Sequence, residues 1–497
     1  MRYLVFLGLA LPLAAAVPCE NLAKLALPNA TVNSAEAVAA GQLTLPPGAL
    51  PRFPGFRPPN FADLPAFCRV AATLAPSSDS DIKIEVWMPA SGWNGRLESV
   101  GNGAWAGSIS YRDLAAGLKT GYATASTDTG HTGNVATFVV GHPEKLTDFA
   151  YRAVHELTIA AKAITTAYYG EGPRHAYFNG CSTGGRQALA EAQRFPADYD
   201  GIVAGAAANY PTHLQGAQVW IAKISNQDEA ARIPRSKYEL IHNAVLQACD
   251  ALDGVKDRVL EDPTLCHFDP EVLACKGADS PTCLTAAQVE VARKIYAGPG
   301  AAFFPGLERG SEMGWMTLSD VKPMALAAET YQYLVFKDPS WDYMKFDPAR
   351  DIAEADKVAG PIMNSTDPDL KPFFGHGGKL LMYHGWADPG IAPRNSVSYY
   401  KSVVDTVGTA QAADSIRLFM VPGMGHCAGG DGTDDFDKID TLANWVEQGK
   451  APDHIPAAHR THGVVDRTRP LCPYPQTAHY KGSGSTDDAA NFVCAAQ

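Results

Sequence analysis

A serine flanked by small residues follows a short apolar segment and precedes a helix-forming one. The apolar segment is 176–178, the turn at 180–184 reads G-C-S-T-G, and residues 186–194 favour a helix. Small residues are needed because such a turn is strained and its helix passes close to the strand. The pattern predicts a strand, a tight turn and a helix. Ser182 would then stand at the turn, beside the free N–H groups of the helix N-terminus.

Strand-like apolar segments alternate with helical segments along most of the chain. That alternation is typical of an α/β sheet, and a serine turn in that context is the nucleophile elbow of α/β-hydrolases. We therefore predict an α/β-hydrolase fold. The predicted strands are 82–88, 97–100, 122–126, 176–178, 201–204, 379–383 and 416–421.

The segment between the fifth and sixth predicted strands has a different character. It contains amphipathic helical stretches at 236–248 and 285–296, four cysteines and loops rich in proline and glycine, without strong strand signals. We interpret 210–375 as a large inserted lid domain that covers one end of the sheet. Residues 17–209 and 376–497 then form the two parts of the hydrolase domain.

The first sixteen residues resemble a secretory signal peptide. Arg2 is followed by an apolar stretch at 3–13 and by three alanines at 14–16. A membrane anchor is the alternative, but the apolar stretch is shorter than the roughly 18 to 20 residues that a spanning helix needs. We predict a secreted or periplasmic protein without a membrane partner.

The composition excludes disordered chains and argues against nucleic-acid-binding proteins. With 46% hydrophobic and 19% charged residues in 497, the chain can bury a large core, which disordered chains cannot. The net charge of -12 arises from 53 acidic against 41 basic residues, and no basic run stands out. A nucleic acid partner is therefore not expected.

A carboxylate and a histidine follow the last two predicted strands. Asp388 comes after 379–383 and His426 after 416–421. A serine hydroxyl needs a base to remove its proton, and the base needs a carboxylate to fix its tautomer. Because strand ends meet at one edge of a parallel sheet, Ser182, Asp388 and His426 are predicted to form a catalytic triad.

Ten cysteines follow the predicted cleavage point. An even number in an exported protein favours five disulfides, whereas a zinc site would need a C-x-x-C pair or a suitably spaced histidine, and neither is present. Spacing alone leaves the connectivity open, although some pairs are close in sequence. Cys181 precedes Ser182 and Cys427 follows His426, so a bond between these cysteines would hold the nucleophile and the base together.

The Cys-Ser, Asp and His-Cys arrangement resembles the tannase and feruloyl esterase family of secreted serine esterases, which includes a mono(hydroxyethyl) terephthalate hydrolase. The resemblance covers nearly the whole mature chain and includes the glycine loop at 101–105. It implies an oxyanion hole formed by the backbone N–H groups of Thr183 and Gly103, with Ala104 as the alternative to Gly103. The disulfides that it implies are Cys19–Cys68, Cys181–Cys427, Cys249–Cys266, Cys275–Cys283 and Cys472–Cys494.

An acidic loop in the predicted lid carries three carboxylates around a glycine. Ca²⁺ binds six to eight oxygens from carboxylates and backbone carbonyls, although a solvated acidic turn would have the same composition. The resemblance implies a structural calcium site and no organic cofactor. Its ligands would be the side chains of Asp250, Asp253 and Asp257 and the carbonyls of Val255 and Val259.

The substrate is constrained only by the resemblance. It implies esters of aromatic acids, either small or attached to plant polymers, with Trp315 and His384 as candidate substrate contacts. The feruloyl esterase type is the first expectation, and galloyl, chlorogenate and terephthalate esters remain open. A catalytically silent binding protein of the same fold is the alternative from another functional class.

Overall fold

A nine-stranded mixed sheet forms the centre of the protein in a computed structural model that describes residues 17–50 and 59–496. The signal peptide predicted at 1–16 lies outside the described residues. The strands of this sheet, in chain order, are β1 (Ala30–Val38), β2 (Phe67–Leu74), β3 (Ile82–Pro89), β4 (Arg96–Val100), β5 (Ala123–Thr127), β6 (His175–Cys181), β7 (Gly201–Gly205), β8 (Lys379–Gly385) and β9 (Ile416–Val421).

The sheet order is β1-β2-β3-β5-β4-β6-β7-β8-β9. The pairings from β1 to β5 through β2 and β3 are antiparallel, and those from β5 to β9 are parallel. Helices cover both faces of the parallel part, which explains why its strands are continuous apolar runs. Every residue of β7 and β8 is buried. This is the α/β-hydrolase architecture expected from the sequence.

Fifteen α-helices occur in the described residues, together with short 3-10 and π turns. The α-helices are α1 (Tyr111–Lys119), α2 (Pro143–Thr147), α3 (Ala153–Tyr169), α4 (Thr183–Arg194), α5 (Pro211–Asn226), α6 (Tyr238–Cys249), α7 (Ala286–Ala297), α8 (Met316–Ser319), α9 (Ala325–Glu329), α10 (Pro348–Val358), α11 (Gly360–Met363), α12 (Lys371–Gly375), α13 (Arg394–Val407), α14 (Thr409–Ser415) and α15 (Ile439–Gln448). No described helix is long and apolar enough to span a lipid bilayer.

The segment between β7 and β8 contains helices α5 to α12, and the only β-pairing within it is in isolated bridges. It includes the predicted lid at 210–375. Helices α5, α6 and α7 share a hydrophobic core of their own, separate from that of the sheet. Helix α7 begins where Thr285 and Gln288 form reciprocal side-chain to backbone hydrogen bonds, a capping box that satisfies the first N–H groups of the helix.

Two small sheets follow β9. One contains β10 (Asp435–Phe436), β11 (Ile455–Thr461) and β12 (Val464–Leu471), and the other pairs β13 (Gln476–Tyr480) with β14 (Phe492–Ala496). The Cys472–Cys494 bond ties the second sheet to the end of β12. These five strands and the antiparallel strands β1 and β2 are absent from the strands predicted by the sequence.

Candidate active site

The serine turn joins β6 directly to α4. Ser182 lies between them with φ of +65°, in the left-handed region that side chains other than glycine rarely adopt. The turn is held because Ser182 N donates to the Gly205 carbonyl at 3.0 Å. A Cβ at Gly180 would overlap the backbone of Gly184, and one at Gly185 would overlap the Gly205 carbonyl. The strained serine therefore depends on glycines that let the helix approach two strands.

Asp388 and His426 lie in the loops after β8 and β9. His426 Nδ1 is 2.6 Å from Asp388 Oδ2, and the carboxylate is completely buried. Ser182 and His426 line one cavity of about 150 Å³, which we call the acyl cavity. The structure thus brings together the three residues that the sequence predicts as a triad.

The protein environment keeps Asp388 ionised and makes His426 more basic. Burial alone would raise the pKa of Asp388, but the charge of His426 and hydrogen bonds from His384 and His426 outweigh it and hold the pKa well below its usual range. Burial lowers the pKa of His426, and the charge and hydrogen bond of Asp388 more than compensate, so that it is raised. His426 is thereby suited to accept a proton near neutral pH.

His384 supports Asp388 rather than facing the acyl cavity. Its side chain is fully buried, Nε2 lies 3.0 Å from Asp388 Oδ2 and 3.1 Å from the Ile391 carbonyl, and Nδ1 lies 2.8 Å from Ser396 Oγ. Because both partners of Nε2 are acceptors, Nε2 carries the hydrogen and Nδ1 accepts from Ser396. The expectation that His384 contacts substrate is replaced by a positioning role.

Backbone N–H groups complete the carboxylate's shell. Asp388 Oδ1 accepts from Gly390 N at 2.7 Å and from Ile391 N at 3.0 Å. With His384 and His426 on Oδ2, every hydrogen bond of the carboxylate comes from a fixed donor. The orientation of His426 therefore depends on a rigid, saturated acceptor.

The glycine loop places Ala104 beside the serine. Ala104 and Thr183 line the acyl cavity, whereas Gly103 lines a different cavity of about 440 Å³. Thr183 Oγ1 donates to the Ala104 carbonyl at 3.0 Å, and Ala104 has a φ of +47°. The position of Ala104 favours it over Gly103 as the second oxyanion donor, with Thr183 N as the first.

The ten cysteines form the five disulfides that the family resemblance implies. The Cys181–Cys427 bond joins the residue before Ser182 to the residue after His426, across 246 positions. The bond therefore joins the loop of Ser182 covalently to the loop of His426. This bond explains how Ser182 and His426, which are distant in sequence, are held near each other.

Trp315 lies in the lid core and not on the wall of the acyl cavity. It is 1% exposed, its indole N–H donates to Ser311 Oγ at 3.0 Å, and its ring contacts those of Tyr238 and Tyr296 edge-on. A ring packed on all sides cannot stack on a substrate. The expected substrate contact is therefore corrected to a structural role, which sequence could not reveal because burial here depends on tertiary packing.

The acidic loop forms a small cavity of about 20 Å³ that is lined by Asp253, Val255, Asp257, Val259 and Glu261. Burial, with a contribution from neighbouring carboxylates, raises the pKa of Asp253 to about 6 and that of Glu261 to about 8. Clustered carboxylates that hold protons in this way are suited to a hard cation.

Two of the proposed ligands have protein partners. Asp250 lies outside the small cavity, and its Oδ1 accepts from the backbone N–H groups of Asp257 and Arg258. Asp257 Oδ2 pairs with Arg469 at 2.5 Å. The residue set fits a calcium ion in composition. It also includes Glu261, which was not among the ligands expected from the sequence. The signal was present, because Glu261 follows Asp257 by four positions, as Asp257 follows Asp253.

The acyl cavity is mostly apolar. Its wall includes Leu214, Met324, Leu326, Met363 and Ile391. The side-chain oxygens of Gln215 and Gln218, which belong to two further residues of this wall, are buried and lack a hydrogen-bond partner among the described residues. Such a cavity suits a flat apolar group that carries a polar substituent.

Comparisons with known proteins show which family the chain resembles along its length. A family model described as "Tannase and feruloyl esterase" matches residues 68–495. An uncharacterized esterase of Xanthomonas campestris is 39% identical over 99% of this chain and 94% of its own. A probable feruloyl esterase B-2 of Aspergillus terreus is 34% identical over 96% and 94%.

Solved structures show the same fold over nearly the whole chain. Feruloyl esterase B from Aspergillus oryzae superimposes with a TM-score of 0.89 at 34% identity, covering 96% of this chain and 99% of the other. Tannin acyl hydrolase from Aspergillus niger has a TM-score of 0.78 at 24% identity, with 97% and 94% covered. With an elbow serine, a buried carboxylate–histidine pair and these matches along its length, the chain belongs to the tannase and feruloyl esterase family of carboxylic ester hydrolases.

Proposed function

We propose that the protein is an exported serine esterase that hydrolyses esters of phenolic acids, of the feruloyl esterase type. The observation that carries the proposal is one apolar cavity lined by Ser182, Thr183, Ala104 and His426. Five disulfides support export, because such bonds persist in oxidising compartments.

The proposed mechanism passes through an acyl-enzyme. His426 removes the proton of Ser182 as its oxygen attacks the ester carbonyl, and the N–H groups of Thr183 and Ala104 stabilise the oxyanion. The C–O bond to the alcohol breaks as His426 returns the proton to the alcohol oxygen. Water then attacks the acyl carbonyl, gives its proton to His426 and releases the acid, and that proton returns to Ser182.

The polar groups of the acyl cavity favour a phenolic acid over a terephthalate monoester. A terephthalate monoester would bring a free carboxylate into the cavity. The guanidinium of Arg186, which belongs to the cavity wall, donates to the backbone carbonyls of Ala150 at 2.7 Å and Phe149 at 3.3 Å. The unpartnered oxygens of Gln215 and Gln218 instead suit the hydroxyl of a phenolic ring.

A substrate panel with a nucleophile variant tests this function. We expect the purified protein to hydrolyse methyl ferulate faster than methyl gallate or a terephthalate monoester. Ser182→Ala should lower kcat by at least about a thousandfold, since only oxyanion stabilisation and binding remain. Ser34→Ala, an exposed serine on β1, is the matched control.

Labelling with a serine-directed phosphonate identifies the nucleophile independently of substrate. We expect one label per chain, on Ser182. A folded protein that binds methyl ferulate without turnover and takes up no label would instead be a binding protein of this fold.

We also propose that the acidic loop binds Ca²⁺ through the side chains of Asp250, Asp253 and Asp257 and the carbonyls of Val255 and Val259. When bound, the ion would neutralise the carboxylates and hold the loop at the junction of the lid with β12. It would be structural, because the loop residues lie outside the acyl cavity.

A further inference from the structure

A second cavity adjoins the acyl cavity at His426. This outer cavity of about 300 Å³ shares His426 and Pro389 with the acyl cavity, whereas Ser182 lines the acyl cavity alone. Its other lining residues include His242, Arg258, Arg309, Met313, Trp386 and Asp431. The two cavities therefore meet at the catalytic base.

The chemistry of ester cleavage indicates which part of the substrate would occupy each cavity. The acyl group stays on Ser182, next to the oxyanion donors. The departing alcohol receives its proton from His426, so its oxygen lies against this side chain when the C–O bond breaks. An alcohol larger than methanol would then extend into the outer cavity.

The outer cavity carries more positive than negative charge. Neither Arg258 nor Arg309 forms an ion pair with a carboxylate among the described residues. His242 lies 2.8 Å from Glu312 and 3.7 Å from Asp431. Burial lowers the pKa of His242, but the hydrogen bond with Glu312 and the nearby charges of both carboxylates raise it to about 9, so it is cationic at neutral pH. Three cations thus face two carboxylates.

Arg309 has unused hydrogen-bonding capacity. Its Nε is buried and has no partner among the described residues, and its one hydrogen bond there is from a terminal nitrogen to the Phe268 carbonyl at 3.1 Å. The guanidinium lies 4.4 Å from the centre of the Tyr296 ring, which fixes its plane. A half-buried guanidinium that lines a cavity and makes so few hydrogen bonds suits a carboxylate, which can accept from two N–H groups at once.

We propose that the outer cavity is an alcohol-side subsite for esters whose alcohol carries a carboxylate, that is, for a phenolic acid esterified to a hydroxy acid. Arg309 and Arg258 supply the recognition, and the apolar side chains of Met313 and Trp386 contact the carbon skeleton. The proposal rests on the proposed function, because it assigns the leaving group of that same reaction.

The test compares two esters that differ only in this charge. Chlorogenic acid carries the carboxylate of its quinate alcohol, and methyl chlorogenate carries its neutral ester. We expect the wild type to show a higher kcat/KM for chlorogenic acid, and Arg309→Met to lower the ratio of the two values by about tenfold or more, as expected for loss of one charged hydrogen bond.

Further variants separate charge from packing. Arg309→Lys should retain part of the preference. Arg258→Met changes an exposed residue and should also lower the ratio, even if Arg309→Met folds poorly. Lys322→Met removes an exposed positive charge elsewhere in the lid and should leave both the activity and the ratio unchanged.

The outcomes distinguish the two proposals. Turnover of both esters at equal efficiency, or a ratio unaffected by both arginine variants, overturns the subsite and leaves the esterase intact. Absence of turnover of either ester, together with absence of phosphonate labelling, overturns the proposed function and the subsite with it.

Discussion

The hydrogen bond from His384 to Asp388 supports the carboxylate that pairs with His426. It is made by a fully buried ring to a fully buried carboxylate. We expect His384→Leu to lower kcat/KM by about tenfold to a hundredfold, since a buried charge loses a donor. The carboxylate would then interact more strongly with protonated His426 and raise the pKa of His426.

The pH profile distinguishes positioning from mere folding damage. His426 must be neutral to act as a base, so activity falls as pH drops through its pKa, which Asp388 already raises. The acidic limb of kcat/KM should move to higher pH in His384→Leu and return partly in His384→Gln, which keeps a donor. An unchanged limb in a folded His384→Leu protein would contradict the positioning role.

The proximity of Ser182, Asp388 and His426 could be predicted from sequence because each residue follows a recognisable strand. The contact of His384 with Asp388 could not be predicted. His384 is the penultimate residue of β8, and the direction of its side chain depends on packing against α13. The prediction that Trp315 contacts the substrate was wrong for the same reason, because a tryptophan in a glycine-rich loop has no periodicity that indicates burial. The choice between Gly103 and Ala104 depended on loop conformation, which residue type alone does not determine.

At the scale of elements, the Cys181–Cys427 bond should contribute to activity in addition to its contribution to stability. Closing a chain of 246 residues contributes about 5 kcal/mol in the chain-entropy model, against about 2.5 kcal/mol for the eight-residue separation of Cys275 and Cys283. We expect the double alanine variant of Cys181 and Cys427 to lose kcat even in its folded fraction. The Cys275 and Cys283 double variant is the matched control.

Measurement of kcat per folded molecule, with folded protein quantified by circular dichroism, checks this expectation. Equal activity per folded molecule in the two double variants would show that the bond between the catalytic loops contributes only stability.

The acidic loop after α6 should respond to calcium. If Ca²⁺ binds the folded state alone, a hundredfold excess over Kd adds about 2.7 kcal/mol, so the melting temperature should rise with calcium and fall with a chelator. Asp253→Asn should abolish this rise, because it removes a charged ligand whose hydrogen bonds among the described residues come only from the backbone N–H groups of Val255 and Glu261. Asp405→Asn, an exposed aspartate on α13, should keep it.

Metal analysis of the purified protein provides the independent measurement. A chelator-insensitive melting curve together with absence of bound calcium would identify the loop as an acidic turn held by backbone hydrogen bonds and Arg469.

The parallel strands were predictable because they are buried on both faces. The antiparallel strands β1 and β2 were not. Strand β1 alternates irregularly between half-buried and exposed residues, and β2 contains Arg69, which a sequence pattern reads as a break. Arg69 is accommodated inside the sheet by an ion pair with Glu85 at 2.7 Å. Strand β12 is interrupted by charges in the same way.

At the scale of the whole molecule, buried carboxyls make stability depend on pH. Burial raises the pKa of Glu98 and that of Asp128 to about 7 each, and it also raises the pKa of Glu191 well above its usual value. Between about pH 4.5 and 7 the folded state therefore holds protons that the unfolded state has released. Stability contributed by these groups is present at low pH and is lost as pH rises through 7.

Glu98→Gln isolates this effect at the centre of the sheet. Glu98 lies on β4 and accepts from Asn179 Nδ2 at 3.0 Å, a contact that an amide can keep. The free energy of unfolding of the variant, relative to wild type, should increase by about 2 to 3 kcal/mol between pH 5 and pH 8. Urea titrations at both pH values check it, with exposed Glu239→Gln as control. A difference independent of pH would mean that Glu98 is ionised throughout.

The connectivity of the cysteines constrains how the chain can mature. If the protein is exported as proposed, its cysteines enter the oxidising compartment in sequence order, and the next cysteine after Cys181 is Cys249. Native pairing instead requires Cys181 to wait for Cys427 while four lid cysteines pass, and thiolates react with whichever partner is accessible. An enzyme that only forms disulfides would be expected to leave Cys181 bonded to a lid cysteine such as Cys249. We therefore expect efficient maturation of the exported chain to require a disulfide isomerase that reshuffles this bond after the second half of the sheet has arrived.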